Sequence, residues 1–154
     1  MICPEAIDPA ALLAGFSDAN RAAGAVVSFT GVVRGDGGGA SAVWAIELDH
    51  HPSFSGKVIG AIGDDAKARF DIADCLIAHR VGRVAAGEPI VFVAAAATHR
   101  RAAFEAVDYV MDRLKTEAPL WKREIAAGGG GEWIQARDAD WADAARWGEQ
   151  DADR

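Results

Sequence analysis

The stretch PIVFVAAAATHRRAAFEAVDYVMDRLKTEAPLWKRE, residues 89–124, decides the fold. Its opening, Pro89–Ala97, is continuously apolar. A strand that shows no alternation is buried on both faces, so a central strand is expected here. Arg100–Lys115 then places Ala103, Phe104, Val107, Val110, Met111 and Leu114 on one helical stripe. That helix must stop before Pro119, because the residue preceding a proline is pushed out of helical conformation. Leu120–Ile125 resumes as a strand.

The rest of the chain arranges itself around this strand–helix–strand unit. Asp8-Pro9 reads as an N-cap with proline at the first helical position, opening a short helix through Leu12 and Leu13. Ala25–Val33 is β-branched and apolar, hence a strand, broken by the glycine-rich Gly35–Gly39. Val43–Asp49 alternates, with Trp44, Ile46 and Leu48 on one face. Pro52–Gly56 reads as a turn. Lys57–Phe70 is amphipathic at helical spacing through Val58, Ile59, Ile62, Ala66 and Phe70. Ile72–Val81 is a strand and Gly82–Gly87 a turn. Near the end, Glu132–Ala136 is a strand after the Gly128–Gly131 run, and Asp138 caps a last helix bearing Trp141 and Trp147. The irregular mixture of strands and helices makes the class α+β.

At 154 residues the chain predicts one domain, set at residues 1–147, with a polar tail over 148–154 expected to fray. Its 16 Lys and Arg stand against 23 Asp and Glu, giving a net charge of −7. A general nucleic-acid binder needs the opposite balance, so no nucleic acid is expected. No apolar run is long enough for a membrane-spanning helix, and the first residues lack the pattern of a secretory signal. Cys3 and Cys75 form no CxxC, and Cys75 reads as a small buried hydrophobe. These features favour a reducing cytoplasm.

Thr98 is a suitable N-cap for the long helix, yet His99, Arg100 and Arg101 follow where a helix start prefers acids. Two readings stand together. An anion bound at this end would reverse the sign of the interaction, with backbone N–H groups and guanidinium forks converging on it. Alternatively, the arginines face solvent or pair with Glu105. At the other end, Lys115 suits the helix dipole. Lys122 and Arg123 are adjacent strand residues, so one faces a pocket and the other turns away. Asp49, His50 and His51 form a poor chelating set for the same reason, and no metal site is expected. No phosphate-loop and no GxSxG pattern is present. His79, on a strand, reads as structural.

FTGVVR (Phe29–Arg34), THRRAAFEA (Thr98–Ala106), MDRLKTEAPLWKRE (Met111–Glu124) and EWIQAR (Glu132–Arg137) occur in the order and spacing of one family. Over Gly24 to Trp147 the chain resembles the large, catalytic subunit of molybdopterin synthase. The resemblance implies an α/β-hammerhead-like fold with an added antiparallel β subdomain. It implies a sulfurtransferase that converts cyclic pyranopterin monophosphate (precursor Z) into molybdopterin. Sulfur would arrive as the C-terminal Gly-Gly thiocarboxylate of a small ubiquitin-like partner subunit. It further implies a homodimer with one small subunit at each end, a heterotetramer, with no cofactor or metal of its own. Matched position by position, Lys115 and Lys122 correspond to the family's active-site lysines. Arg34 corresponds to a substrate-contacting arginine, His99 and Arg100 to the phosphate- and pterin-binding pair, and Arg137 to another basic pocket residue. The matching stretches add Val32, Val33, Arg123 and Glu124 to the expected substrate-binding set. The chain departs from the family in its glycine-rich 35–39 loop, in His51 where tyrosine is common, and in Phe54 where methionine is common.

Helix length adds an expectation of its own. His99 and Lys115 lie 16 residues apart on one helix, about 24 Å at about 1.5 Å per residue. One pterin phosphate cannot reach both ends. An isologous dimer would resolve this by bringing the helix start of one chain to the helix end of the other, so that Arg34, Lys115 and Lys122 come from one chain and His99, Arg100 and Arg137 from its partner. Two other classes remain as rivals: a non-catalytic phosphate-ligand binder, and a metal-dependent hydrolase using Asp49, His50 and His51.

Overall fold

The computed structural model describes residues 1–35, 43–126, 129–134 and 137–149. Asp8 caps the first helix as expected. Its carboxylate accepts from the N–H groups of Ala10 (2.9 Å) and Ala11 (3.1 Å), with Pro9 inside the first turn. This helix, α1, spans Pro9–Ala19 and follows a two-residue strand, β1 (Ile2–Cys3), which is too short to leave a pattern in the sequence. The remaining elements are β2 (Ala25–Val32), β3 (Val43–His50), α2 (Ser55–Phe70), β4 (Ile72–Arg80), β5 (Gly82–Ala85), β6 (Pro89–Ala97), α3 (Arg100–Glu117), β7 (Leu120–Ala126), β8 (Gly129–Ile134) and α4 (Asp138–Glu149).

They form two four-stranded sheets, ordered β1-β4-β6-β2 and β5-β3-β7-β8. In the first, β1 runs parallel to β4 and the other pairings are antiparallel. The second is antiparallel throughout. The expected α+β class, with an added antiparallel sheet, is found.

Strand β6 lies inside the first sheet and is buried on both faces, as its unbroken apolar run predicts. Val91, Val93, Ala95 and Ala97 join a core with α2 and α3, centred on Ile59, Ile62, Ala66, Ala103, Ala106 and Val110. Phe92, Ala94 and Ala96 face the other way, against Phe16 of α1. Methyl side chains let helices approach this strand closely from both sides. The end of β6 is equally tight: a Cβ on Gly24 would lie 2.3 Å from the Thr98 carbonyl oxygen, so only glycine fits there.

Several expected boundaries move, each for a local reason. Gly82–Gly87 is not wholly a turn, since Gly82–Ala85 pairs with β3 and buries Val84 completely. A four-residue strand with one apolar inward residue carries too little alternation to be read. The turn that remains is held by Glu88, which accepts from Arg80 (2.9 Å) and from the Ala85 N–H (3.0 Å). Helix α2 begins at Ser55, inside the expected Pro52–Gly56 turn. Its buried hydroxyl donates to the Pro119 carbonyl (2.9 Å) and accepts from the His51 N–H (3.0 Å). Thr98 is not the cap of α3. The chain stays extended for one more residue, His99 takes the cap position, and no side chain caps it. Strand β8 starts in the glycine run at Gly129, while Gln135 and Ala136, the expected strand end, lie outside the described residues. Asp138 is the first residue of α4 rather than its cap, and the helix continues through Gly148 and Glu149, where fraying was expected. The rest of the tail, 150–154, and residues 36–42 lie outside the described residues.

One apolar assignment also changes. Phe104 stands exposed at the edge of the α3 stripe, whereas Tyr109 is fully buried. Tyr109 turns toward α2 and α4, where Phe70, Tyr109 and Trp147 meet edge to face at 5.2–5.6 Å. The buried Asp112 accepts from Trp147 Nε1 at 2.8 Å and from Arg146 at 2.6 Å, tying α4 down on α3. Cys75 is half-buried against the main core, and burial pushes its thiol up to about 11. No helix among the described residues is long and apolar enough to cross a membrane.

Candidate active site

A cavity of about 500 Å³ opens where the end of β2, the C-terminal end of α3 and the inner face of the second sheet converge. Its floor is apolar, with Ile46, Leu48, Ile90, Val91, Met111 and Leu114. Its polar lining is mostly cationic: Arg34, Lys115, Lys122 and Arg137, with Glu124 and Asp140 as the acids and His79 at one side. An apolar chamber with a few convergent polar groups is the common form of a small-molecule site.

Each cation is delivered by a separate element. Arg34 follows β2, whose last residues Gly31 and Val32 lie on the cavity wall together with Val33. Lys115 stands in the last turn of α3, where a cation is favoured by the helix dipole. Lys122 belongs to β7, opposite Leu48 of β3, and Glu124 stands opposite Ile46. The two-residue period therefore turns Lys122 and Glu124 into the cavity and Arg123 away from it. On the outer face Arg123 donates to Glu47 through Nε (2.6 Å) and lies over the Trp133 ring at 5.1 Å. The sequence allowed only one of Lys122 and Arg123 to face a pocket, and Lys122 is the one.

Asp140 anchors the acidic side. It is 6% exposed. It accepts from the Arg137 N–H (3.0 Å) and side chain (3.2 and 3.3 Å), and its Oδ1 lies 3.5 Å from Lys115 Nζ. The Arg137 hydrogen bond, acting against burial, holds its carboxyl down to about 2. Sequence reading passed over Asp140. Its one signal was its place as the third acid-rich position of a new helix, where a carboxylate can return a bond to the backbone ahead of it. His79 was read as structural. It is half-buried, its Nδ1 lies 2.8 Å from the Arg80 carbonyl, and burial pushes its pKa down. A carbonyl accepts, so Nδ1 carries the proton and Nε2 is left as an acceptor.

His99 and Arg100 are absent from this cavity. They lie at the opposite end of α3, exposed and without ion-pair partners among the described residues. Beside them Arg101 approaches Glu105 at 3.8 Å, the pairing allowed for in the sequence. The structure thus gathers Val32, Val33, Arg34, Lys115, Lys122, Glu124 and Arg137 at one cavity within a chain. It leaves His99, Arg100 and Arg123 elsewhere. Asp49, His50 and His51 lie outside it too, and no metal-holding group of three His, Cys, Asp or Glu occurs among the described residues.

Comparison with known proteins follows the same outline. The profile of the MoaE protein family matches residues 2–117. A molybdopterin synthase catalytic subunit from Cereibacter sphaeroides is 45% identical over 132 residues, covering 86% of this chain and 88% of that protein. One from Caulobacter vibrioides is 44% identical over 143 residues, covering 93% of each. Among solved structures, the molybdopterin biosynthesis MoaE protein from Burkholderia ambifaria MC40-6 superposes with a TM-score of 0.79 at 41% identity. That alignment covers 96% of this chain and 95% of that one.

Proposed function

The chain belongs to the MoaE family, whose relatives are molybdopterin synthase catalytic subunits, and from that premise we propose a specific reaction for its cavity. The chain converts cyclic pyranopterin monophosphate into molybdopterin, taking sulfur from the C-terminal thiocarboxylate of a small ubiquitin-like partner subunit. The observation that carries this reading is the pairing of Lys115 and Lys122 with Arg34 and Arg137 around one cavity, on a chain of net charge −7.

The chemistry asks three things of the site. It must hold an anionic phosphate, admit an extended Gly-Gly tail, and stabilise the oxyanion that forms when water attacks the carrier's carbonyl after its sulfur has bonded to the substrate, which leaves sulfur on the substrate and a carboxylate on the carrier. Cations gathered around a partly apolar cavity serve all three, because each task places negative charge against them. Lys115 and Lys122 are the catalytic residues in this scheme. Arg34, Arg137 and Glu124, with the backbone around Val32 and Val33, position the substrate. Arg123 supports the wall from behind through Glu47.

His99 and Arg100 enter through a dimer. One chain contributes Arg34, Lys115, Lys122 and Arg137, and its partner contributes the helix start with His99 and Arg100. The distance along α3 supports this division. It departs from the sequence-based expectation only for Arg137, which shares a cavity with Lys115. With a small subunit at each end the assembly is a heterotetramer. The free thiols Cys3 and Cys75 suit a reducing cytoplasm.

The test is reconstitution. The chain is mixed with the thiocarboxylated partner and cyclic pyranopterin monophosphate, and dithiolene product is assayed. Absence of product with authentic components overturns the proposal. A pure phosphate-ligand binder is separated by arginine variants at positions 115 and 122. Arginine retains charge but does not lose its proton near neutral pH, so a binder keeps full function and a proton-transferring lysine does not.

A further inference from the structure

We infer that Asp140 is a positioning residue for the cavity, holding the Lys115 ammonium at a fixed place beside Arg137; the inference rests on the functional reading above. Lys115 is 44% exposed at its side chain, on a flexible four-carbon stem. Nothing on α3 itself restrains its end group. The restraint comes from α4: Asp140 Oδ1 lies 3.5 Å from Lys115 Nζ and 3.2 Å from Arg137 Nη2. Asp140 is in turn immobilised. Its other oxygen accepts the Arg137 N–H at 3.0 Å, and its side chain is 8% exposed.

The rest of α4 fixes the carboxylate relative to α3. Trp147 is 5% exposed and donates to Asp112, three residues before Lys115 on the same helix. Arg146 reaches both Asp108 and Asp112. Two anchors on α3 thus hold a helix whose first turn presents one carboxylate to the lysine at the end of α3. A surface ion pair free to swing would contribute little. One built from a buried, doubly bonded carboxylate sets geometry, and geometry is what a reacting group requires.

The arrangement has a distinctive kinetic signature. Asp140 also neutralises two cations that face the cavity. Removing its charge leaves those cations free to attract an anionic substrate, but it no longer fixes Lys115. Binding and turnover should therefore separate. Asp140→Asn is the variant of choice, because its amide oxygen still accepts the Arg137 N–H and preserves the start of α4. Reconstituted with partner and pyranopterin, it should lose kcat about tenfold while KM stays level or falls. Its thermal midpoint should stay within about 5 °C of the parent. Asp140→Ser, whose hydroxyl also accepts, carries the same expectation should the amide variant not fold.

Unchanged kcat in Asp140→Asn overturns the inference. So does a joint fall in kcat and rise in KM with a collapsed midpoint, which marks a purely structural residue. The two proposals fail separately. If the parent makes no dithiolene, the functional reading falls. If the parent is active and the variant matches it, only the role of Asp140 falls.

Discussion

At its C-terminal end α3 delivers Lys115 to a cavity, where a buried carboxylate meets it. At its N-terminal end His99 and Arg100 stand exposed, with no side-chain cap and no carboxylate against them among the described residues. Both ends are cationic, yet only one is finished within the chain. Lys115 agrees with the helix dipole and still receives a partner, whereas His99 and Arg100 oppose the dipole and receive none among the described residues. Locally unfavourable charge left unrelieved is what a surface awaiting an anion, or a second chain carrying one, looks like. The difference fits the proposed division of the site between two chains, with one half at each end of α3.

The hardest blow to that picture concerns Lys115. Lys115→Ala should reduce product formation by about 10²- to 10⁴-fold, the range of a lost general acid or base, with folding intact by circular dichroism. Lys122→Ala should cost the same or less. Wild-type turnover in the first variant would strip the finished end of its catalytic role.

At the unfinished end Arg100→Ala should weaken pyranopterin binding by about 1.5–3 kcal/mol, roughly ten- to hundredfold, and affect turnover less. Isothermal titration reads the first quantity and saturating kinetics the second. The two ends can then be joined. Lys115→Ala and Arg100→Ala chains, assayed at pyranopterin concentrations too low to fill the weakened site and mixed until subunits exchange, should regain activity, because each mixed dimer holds one intact site and one doubly damaged site. Demonstrated exchange without recovery would return both ends to separate functions.

Trp147→Ala sharpens the comparison from within the fold. It should destabilise the protein by about 3–5 kcal/mol in chemical denaturation. Because Trp147 anchors α4 to Asp112, hydrogen exchange should quicken at α4 and the end of α3, while the start of α3 stays protected. Uniform loosening of both ends would show that they are not independently supported. The smallest expected effect is at Arg101, whose contact with Glu105 is a long surface ion pair. Arg101→Ala should change stability by less than about 0.5 kcal/mol and leave pyranopterin binding unaltered, marking where the anion-facing surface stops.

What the sequence disclosed follows the reach of each signal. The apolar run of β6 and the stripe of α3 are long and periodic, so strand, helix and class were legible. Lys115 and Lys122 were legible through the LKTEAPLWKRE stretch, and strand alternation foretold that Arg123 would turn from Lys122. β1 and β5 were not, since two- and four-residue strands exist only through their pairing to β4 and β3. Tyr109 escaped because α4 buries a second face of α3, and a single stripe cannot announce a second neighbour. Asp140 escaped for the same reason: its importance lies in contacts with Lys115, 25 residues earlier in the chain.

The four alanines at positions 94–97 of β6, none with any solvent exposure, also restrict how the gene can drift. One base change in an alanine codon leads to valine, threonine, serine, proline, glycine, aspartate or glutamate. Every route adds volume, adds polarity, removes the Cβ or breaks the strand. With helices pressed on both faces there is no neutral neighbour to step to. Each of these four codons is therefore surrounded by costly amino-acid substitutions.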